Sequence, residues 1–219
     1  VPVKVKICGV RTPAIVNTAA EAGADYVGLV LFPGSPRYVE VEEARVLAAI
    51  AKGKVGSVAV LVDADDALID QVVERVRPDL LQLHGSETPD RVAAIRARTG
   101  LPVMKAVAIE SAADVTEARA YAASADRILF DAKASQGAAL PGGNGVAFDW
   151  LTLKGVAAPF ALSGGLTPDT VGEAIRITGA ALVDVSSGVE RAPGDKDAEL
   201  VRRFIQAAKS ASPVQAKAS

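Results

Sequence analysis

The sequence predicts an α/β fold, a single closed barrel of eight parallel strands with a helical segment after each, and three observations carry that expectation. Short apolar runs of strand length alternate with longer stretches of helical periodicity along the chain. The runs number eight, the count at which parallel βα units close into a (β/α)8, or TIM, barrel. Neither fingerprint of an open nucleotide-binding sheet is present: no GxGxxG follows the first run, and no GxxxxGK precedes a Ser or Thr. Composition agrees. Half of the 219 residues are hydrophobic but only 4% are aromatic, so Ala, Val, Leu and Ile must fill the core, as layered α/β proteins allow.

Taken in order, the first run spans residues 3–7, and a helix opens at Thr12 and Pro13. The Thr hydroxyl suits an N-cap and the Pro presets the first helical φ; the helix ends near Gly23. Run 26–31 is followed by helix 41–51, run 57–62 by helix 66–76, and run 80–83 by helix 89–99. Run 103–107 precedes helix 112–122, and run 127–130 precedes only the short apolar stretch 150–153. Runs 160–162 and 182–185 are followed by helices 168–177 and 197–209. AGADYVGLV near Gly23 and TGAALVDVS near Gly179 echo one another, as repeated units with Gly-terminated helices would. No linker divides the chain, so residues 1–209 read as one barrel domain. Residues 210–219, rich in Ala, Ser and Lys and without periodicity, read as a disordered tail.

Twenty-four basic against 26 acidic residues leave a net charge of -2, which gives no field for a polyanion, so no nucleic-acid partner is expected. A single Cys permits no intrachain disulfide and fits a reducing, cytoplasmic compartment; a single His excludes any site built on two imidazoles. No apolar run approaches the ~20 residues of a membrane helix, and the charged residues 1–6 do not resemble a signal peptide. No membrane association is expected.

Barrels of this kind place chemistry at the C-terminal ends of their strands. Here those ends are polar: Cys8, Arg37 in the loop FPGSPRYV, Asp63, His84, Asp131, the GGNG stretch at 142–145, Ser163-Gly164-Gly165 and Ser186-Ser187-Gly188. Alternation along each strand turns Val3, Val5 and Ile7 toward the helices and Lys4, Lys6 and Cys8 into the barrel. The same parity points Gln82, His84, Leu129, Asp131 and Asp184 inward. First and eighth strands are neighbours in a closed barrel, so Lys6 and Asp184 are expected to form an interior ion pair. The two Gly turns suit a phosphate held by main-chain donors, with Pro168 opening a helix beside them, although such glycines also serve simply to shape tight turns. Cys8 is either a small core residue or, with Lys6 favouring its thiolate, a base. Asp131 is either a loop acid paired with Lys133 or an acid facing Cys8 across the barrel mouth. His84 reads equally as an orienting donor, and Arg37 as a surface charge or a fork for a carboxylate.

In chain order, VKICG (5–9), GLVLFPGSPRYV (28–39), LQLHG (81–85), LFDAK (129–133), GGNGVAFDW (142–150), LSGGLTP (162–168) and VDVSSGVERAPGDKD (183–197) give the sequence a close resemblance to the phosphoribosylanthranilate isomerases of tryptophan biosynthesis. The chain departs from that pattern at Asn144, where the family usually carries Thr or Ser. The resemblance implies an Amadori rearrangement of a small phosphosugar-anthranilate substrate, with neither metal nor organic cofactor. Carried over by position, it makes Asp131 the general acid and Cys8 the general base. Arg37 holds the anthranilate carboxylate, His84 and Asp184 contact substrate, and Gly164, Gly165, Ser186, Ser187 and Gly188 bind phosphate. Monomer and homodimer remain equally open. Three rivals share the fold: a metal-dependent pentose-phosphate epimerase, which would need a second His; a silent phosphate-binding domain, which would need neither Cys8 nor Asp131; and an isomerase that also accepts the analogous histidine-pathway substrate.

Overall fold

The computed structural model describes residues 2–132, 149–156 and 159–211. Eight strands form a closed barrel in chain order: β1 (Lys4–Cys8), β2 (Tyr26–Val30), β3 (Gly56–Leu61), β4 (Leu80–Leu83), β5 (Val103–Ile109), β6 (Arg127–Ala132), β7 (Ala161–Leu162) and β8 (Leu182–Val185). Each pairs in parallel with the next, and β8 returns to β1 with Lys6 opposite Asp184. The predicted barrel is therefore borne out, with strand ends shifted by a residue or two. Two further strands, β9 (Glu190–Ala192) and β10 (Asp195–Lys196), form an antiparallel hairpin after β8 that periodicity is too short to announce.

Outside the strands, Thr12 Oγ1 accepts the Ile15 N–H to open α1 (Pro13–Glu21), as its sequence anticipates. Helix α2 (Val41–Ala51) starts with a capping box between Glu40 and Glu43. Helix α3 (Asp66–Gln71) widens into a π-type turn over Val72–Val76, and α4 (Pro89–Thr99) ends at Gly100 in the left-handed region. Helix α5 (Ala112–Glu117) tightens into a 3-10 turn, and Trp150–Leu153 forms only one such turn. Helix α6 (Val171–Thr178) corrects the sequence reading. Pro168 does not open it; residues 168–170 form a turn in which the Thr167 N–H donates to Thr170 Oγ1, and the helix begins after that turn. Helix α7 (Ala198–Ser210) is capped by the Asp197 carboxylate. Lys133, Asn144, the GGNG stretch and the tail beyond residue 211 lie outside the described residues. No helix among the described residues is long and apolar enough to cross a membrane.

Apolar packing falls into two zones. Val5, Ile7, Val27, Leu29, Leu81 and Val183 join the helices in the outer layer, whereas Met104, Ala106, Leu129, Ala161 and Leu182 pack within the barrel. Cys8 shares a third, interior cluster with Val30, Val58 and Val60, so the parity read from the sequence holds. Lys105 breaks the apolar outer face of β5, and its partners explain how. Its Nζ donates to Glu87 Oε2 at 2.8 Å and to the Gly85 carbonyl at 2.7 Å, while Glu87 Oε1 accepts the Asp63 N–H at 2.9 Å. Asp63, with φ of 46°, accepts the Ser86 N–H in return. One buried ion pair thus ties together the loops after β3 and β4.

Removing one member of a buried pair leaves an uncompensated charge, a loss of about 3–5 kcal/mol. Lys105→Met is expected to lower stability by that amount in urea unfolding, and adding Glu87→Leu is expected to recover part of it. Equal stability of Lys105→Met and the parent chain would show that the pair does not hold these loops.

Candidate active site

The site begins where β8 closes on β1. Lys6 Nζ lies 2.9 Å from Asp184 Oδ2, and both side chains are buried, which is the interior ion pair expected from the sequence. Cys8 stands two residues further along the same face, opposite Gly28 on β2. A Cβ at Gly28 would fall 2.9 Å from Cys8 Sγ and 3.1 Å from Lys6 Cε, so only glycine leaves room for both side chains. Beyond Cys8, Ser186 Oγ donates to the Cys8 carbonyl at 3.2 Å, and Lys196 Nζ donates to the Ser186 carbonyl at 3.1 Å.

The opposing wall comes from β4 and β6. His84 Nε2 lies 3.2 Å from Asp131 Oδ2, and its Nδ1 lies 2.9 Å from Gln82 Nε2. Asp131 Oδ1 accepts the following backbone N–H, from Ala132, at 3.0 Å. This carboxylate is only 3% exposed despite its place at a strand end.

Arg37 is not the surface charge that a Ser-Pro-Arg loop suggests. It is buried, and its Nε and Nη2 grip Glu190 in a bidentate pair at 2.8 and 2.9 Å. Glu190 also accepts from Lys196, so the β9–β10 hairpin locks the loop after β2 to the end of β8. The two Gly turns meet directly: a Cβ on Gly188 would lie 1.9 Å from the Leu166 carbonyl oxygen. Gly164 and Gly165 adopt φ of 89° and 64°, so residues 164–165 and 186–188 form one small-residue rim.

Lys6 favours the Cys8 thiolate, as expected from the sequence, but burial outweighs it. Burial pushes the Cys8 thiol above its ordinary value; Lys6 pulls it down, but Asp184 pushes it up again. Lys6 does not prevail because burial of the thiol is the larger influence, and Asp184, 2.9 Å from Lys6, adds to it. Burial works against the Lys6 ammonium, yet Asp184 and Cys8 hold it above its usual range. Burial and the nearby Asp131 push the Asp184 carboxyl up while Lys6 pulls it down, and the close contact to a firmly charged Lys6 decides for an ionised pair. Burial likewise pushes Glu190 up, but its bonds to Arg37 and Lys196 bring it below its ordinary value.

Cys8, Asp184, His84 and Asp131 therefore line the interior at one end of the barrel, with Arg37 at their edge and the Gly turns beside Cys8. A cleft of about 830 Å³ at the opposite end of the strands, bordered by Lys52, Lys54, Arg75 and Arg77 among others, contains none of these residues. Among the described residues no group of three His, Cys, Asp or Glu side chains is arranged to hold a metal. Sequence reasoning missed Glu190, Lys196, Glu87 and Lys105. For Lys105 a signal existed, since a charge on an apolar strand face between Val103 and Val107 needs a partner. Glu87 lies in a loop and Glu190 starts the short hairpin strand β9, where periodicity says nothing.

Residues 5–207 match the family model described as N-(5'-phosphoribosyl)anthranilate (PRA) isomerase. A curated N-(5'-phosphoribosyl)anthranilate isomerase of Paramagnetospirillum magneticum is 56% identical over 214 residues, spanning 97% of this chain and 100% of its own length. Among solved structures, phosphoribosyl anthranilate isomerase from Thermotoga maritima superimposes with a TM-score of 0.86 at 35% identity, covering 94% of this chain and 98% of that one. A phosphoribosyl anthranilate isomerase in complex with reduced 1-(o-carboxyphenylamino)-1-deoxyribulose 5-phosphate gives a TM-score of 0.82 at 34% identity, with the same coverage.

Because the chain holds one cysteine, its thiol can be titrated alone by ultraviolet thiolate absorbance, taken as the difference from Cys8→Ser. The midpoint is expected above the ordinary thiol range in the parent chain and at lower pH in Asp184→Asn, where Lys6 loses its competing partner. An unchanged midpoint in Asp184→Asn would remove Asp184 from control of Cys8.

Proposed function

The chain belongs to the N-(5'-phosphoribosyl)anthranilate isomerase family of tryptophan biosynthesis, and we propose that it performs the Amadori rearrangement with Asp131 as general acid and Cys8 as general base. The observation that carries this assignment is the pair of facing walls in one barrel end: a buried carboxyl bonded to His84 on one, and the single thiol above the Lys6–Asp184 pair on the other. An acid and a base on opposite walls match a reaction that delivers a proton to one sugar atom and removes one from its neighbour.

The steps balance without a co-reactant. Asp131 gives its proton to the furanose ring oxygen; the bond from that oxygen to C1 breaks, and the anthranilate nitrogen lone pair closes a C1=N bond. Cys8 as thiolate then takes the C2 proton, the electron pair forms a C1=C2 bond, and the C1=N pair returns to nitrogen. The enolamine becomes a ketone when the C2 hydroxyl loses its proton and C1 gains one. C2 rises from alcohol to ketone while C1 falls from the aldehyde level to an amine, so the enzyme is an intramolecular oxidoreductase of the aldose-ketose type.

The remaining groups bind and orient. Arg37, held at the rim by Glu190, takes the anthranilate carboxylate, and Asp184 lies toward the anthranilate nitrogen. The joined turns at Gly164, Gly165, Ser186, Ser187 and Gly188 receive the phosphate through backbone N–H groups, as barrels commonly do after their last two strands. A biosynthetic role and a free thiol fit the cytoplasm.

Cys8→Ser and Asp131→Asn keep the shape of each side chain while weakening the base and removing the transferable proton. Each is expected to lower kcat by a factor on the order of 10² or more with folding intact, read as loss of anthranilate fluorescence from freshly made substrate. Near-normal turnover in either folded variant would dismiss that residue from the mechanism.

A further inference from the structure

We propose that Gln82, wholly buried on β4, is a positioning residue that fixes the tautomer of His84 and so keeps an N–H donor aimed at Asp131. The consequence for catalysis rests on Asp131 being the general acid; the tautomer itself does not.

Gln82 and His84 are two residues apart on one strand and therefore share the interior face. The strand neighbours in register with Gln82 are Val60 on β3 and Met104 on β5, an apolar setting in which a primary amide must find partners. Its Nε2 stands 2.9 Å from His84 Nδ1. An amide nitrogen can only donate, so Nδ1 must present its lone pair and the ring proton must sit on Nε2. That Nε2–H points at Asp131 Oδ2 across 3.2 Å.

The surroundings favour this orientation of the amide. Gln82 Oε1 is buried without a hydrogen-bond partner. Turning the amide over would place an NH2 with two donors in that same position. A buried carbonyl lacking a partner is the better tolerated of the two. A doubly protonated ring is opposed for a related reason, because an Nδ1–H would then face the amide N–H head on. Gln82 thus keeps the His84 Nε2–H aimed at Asp131.

When Asp131 transfers its proton, negative charge develops on its carboxyl group. A donor already in place stabilises that charge as it forms, without reorganisation, and this favours the transition state over the ground state. The opposite tautomer would set a nitrogen lone pair against the new carboxylate.

The chain contains one histidine, so a 15N-1H correlation spectrum of the imidazole holds a single spin system. At a pH where the ring is neutral, the wild-type protein is expected to show the Nε2–H form. Gln82→Leu, a near-isostere suited to an apolar interior, should shift the ring toward a mixture of tautomers and lower kcat by about tenfold with KM little changed. Gln82→Glu should move the proton to Nδ1 or charge the ring, with a larger loss of kcat; if that variant does not fold, Gln82→Leu alone decides. A wild-type proton on Nδ1, a ring spectrum unmoved by Gln82→Leu, or an unchanged kcat in folded Gln82→Leu would each overturn the proposal. Failure of the acid assignment looks different: Asp131→Asn would then stay active while the wild-type ring still showed the Nε2–H form.

Discussion

The return of β8 onto β1 is the constraint on which the rest of the site depends. It sets Lys6 opposite Asp184 inside the barrel, where neither charge is tolerable alone and both are acceptable at 2.9 Å. The register that joins these residues also fixes the height of Cys8 and brings Ser186 onto its carbonyl. Sliding either strand by one residue would turn one member of the pair into the apolar outer layer and leave the other unpaired inside. Closure and site geometry are one requirement.

The pair also acts on the thiol. Burial raises the Cys8 thiol most, Lys6 draws it toward its thiolate, and Asp184 opposes that draw. The opposite wall is arranged differently: His84 and the Ala132 N–H each contact one Asp131 oxygen. Two walls of one barrel thereby give Cys8 and Asp131 distinct surroundings.

Much of this was legible in the sequence because it follows from two periods. Alternation along eight runs gives the barrel, and strand parity puts Lys6, Cys8, Gln82, His84, Asp131 and Asp184 on the inside, where the structure has them. What escaped depends on turn contacts, long-range contacts and burial that periodicity does not encode. Pro168 looks like a helix start but is taken up by the turn that Thr170 stabilises. Arg37 looks exposed but is claimed by Glu190, a residue 153 positions away on a hairpin of five strand residues. The net rise of the Cys8 thiol also escaped, since parity shows which groups share a face and not how strongly burial acts on each.

In the proposed mechanism Cys8, on the wall built by the closing strands, removes the ribose C2 proton. Single-turnover conversion of substrate carrying deuterium at C2, compared with protium, tests it most directly in Cys8→Ser, where proton removal should limit the rate. Slower conversion of the deuterated substrate by Cys8→Ser than of the protiated one is the expected result. Equal rates for the two isotopologues in that variant, at a turnover close to the parent chain's, would contradict it.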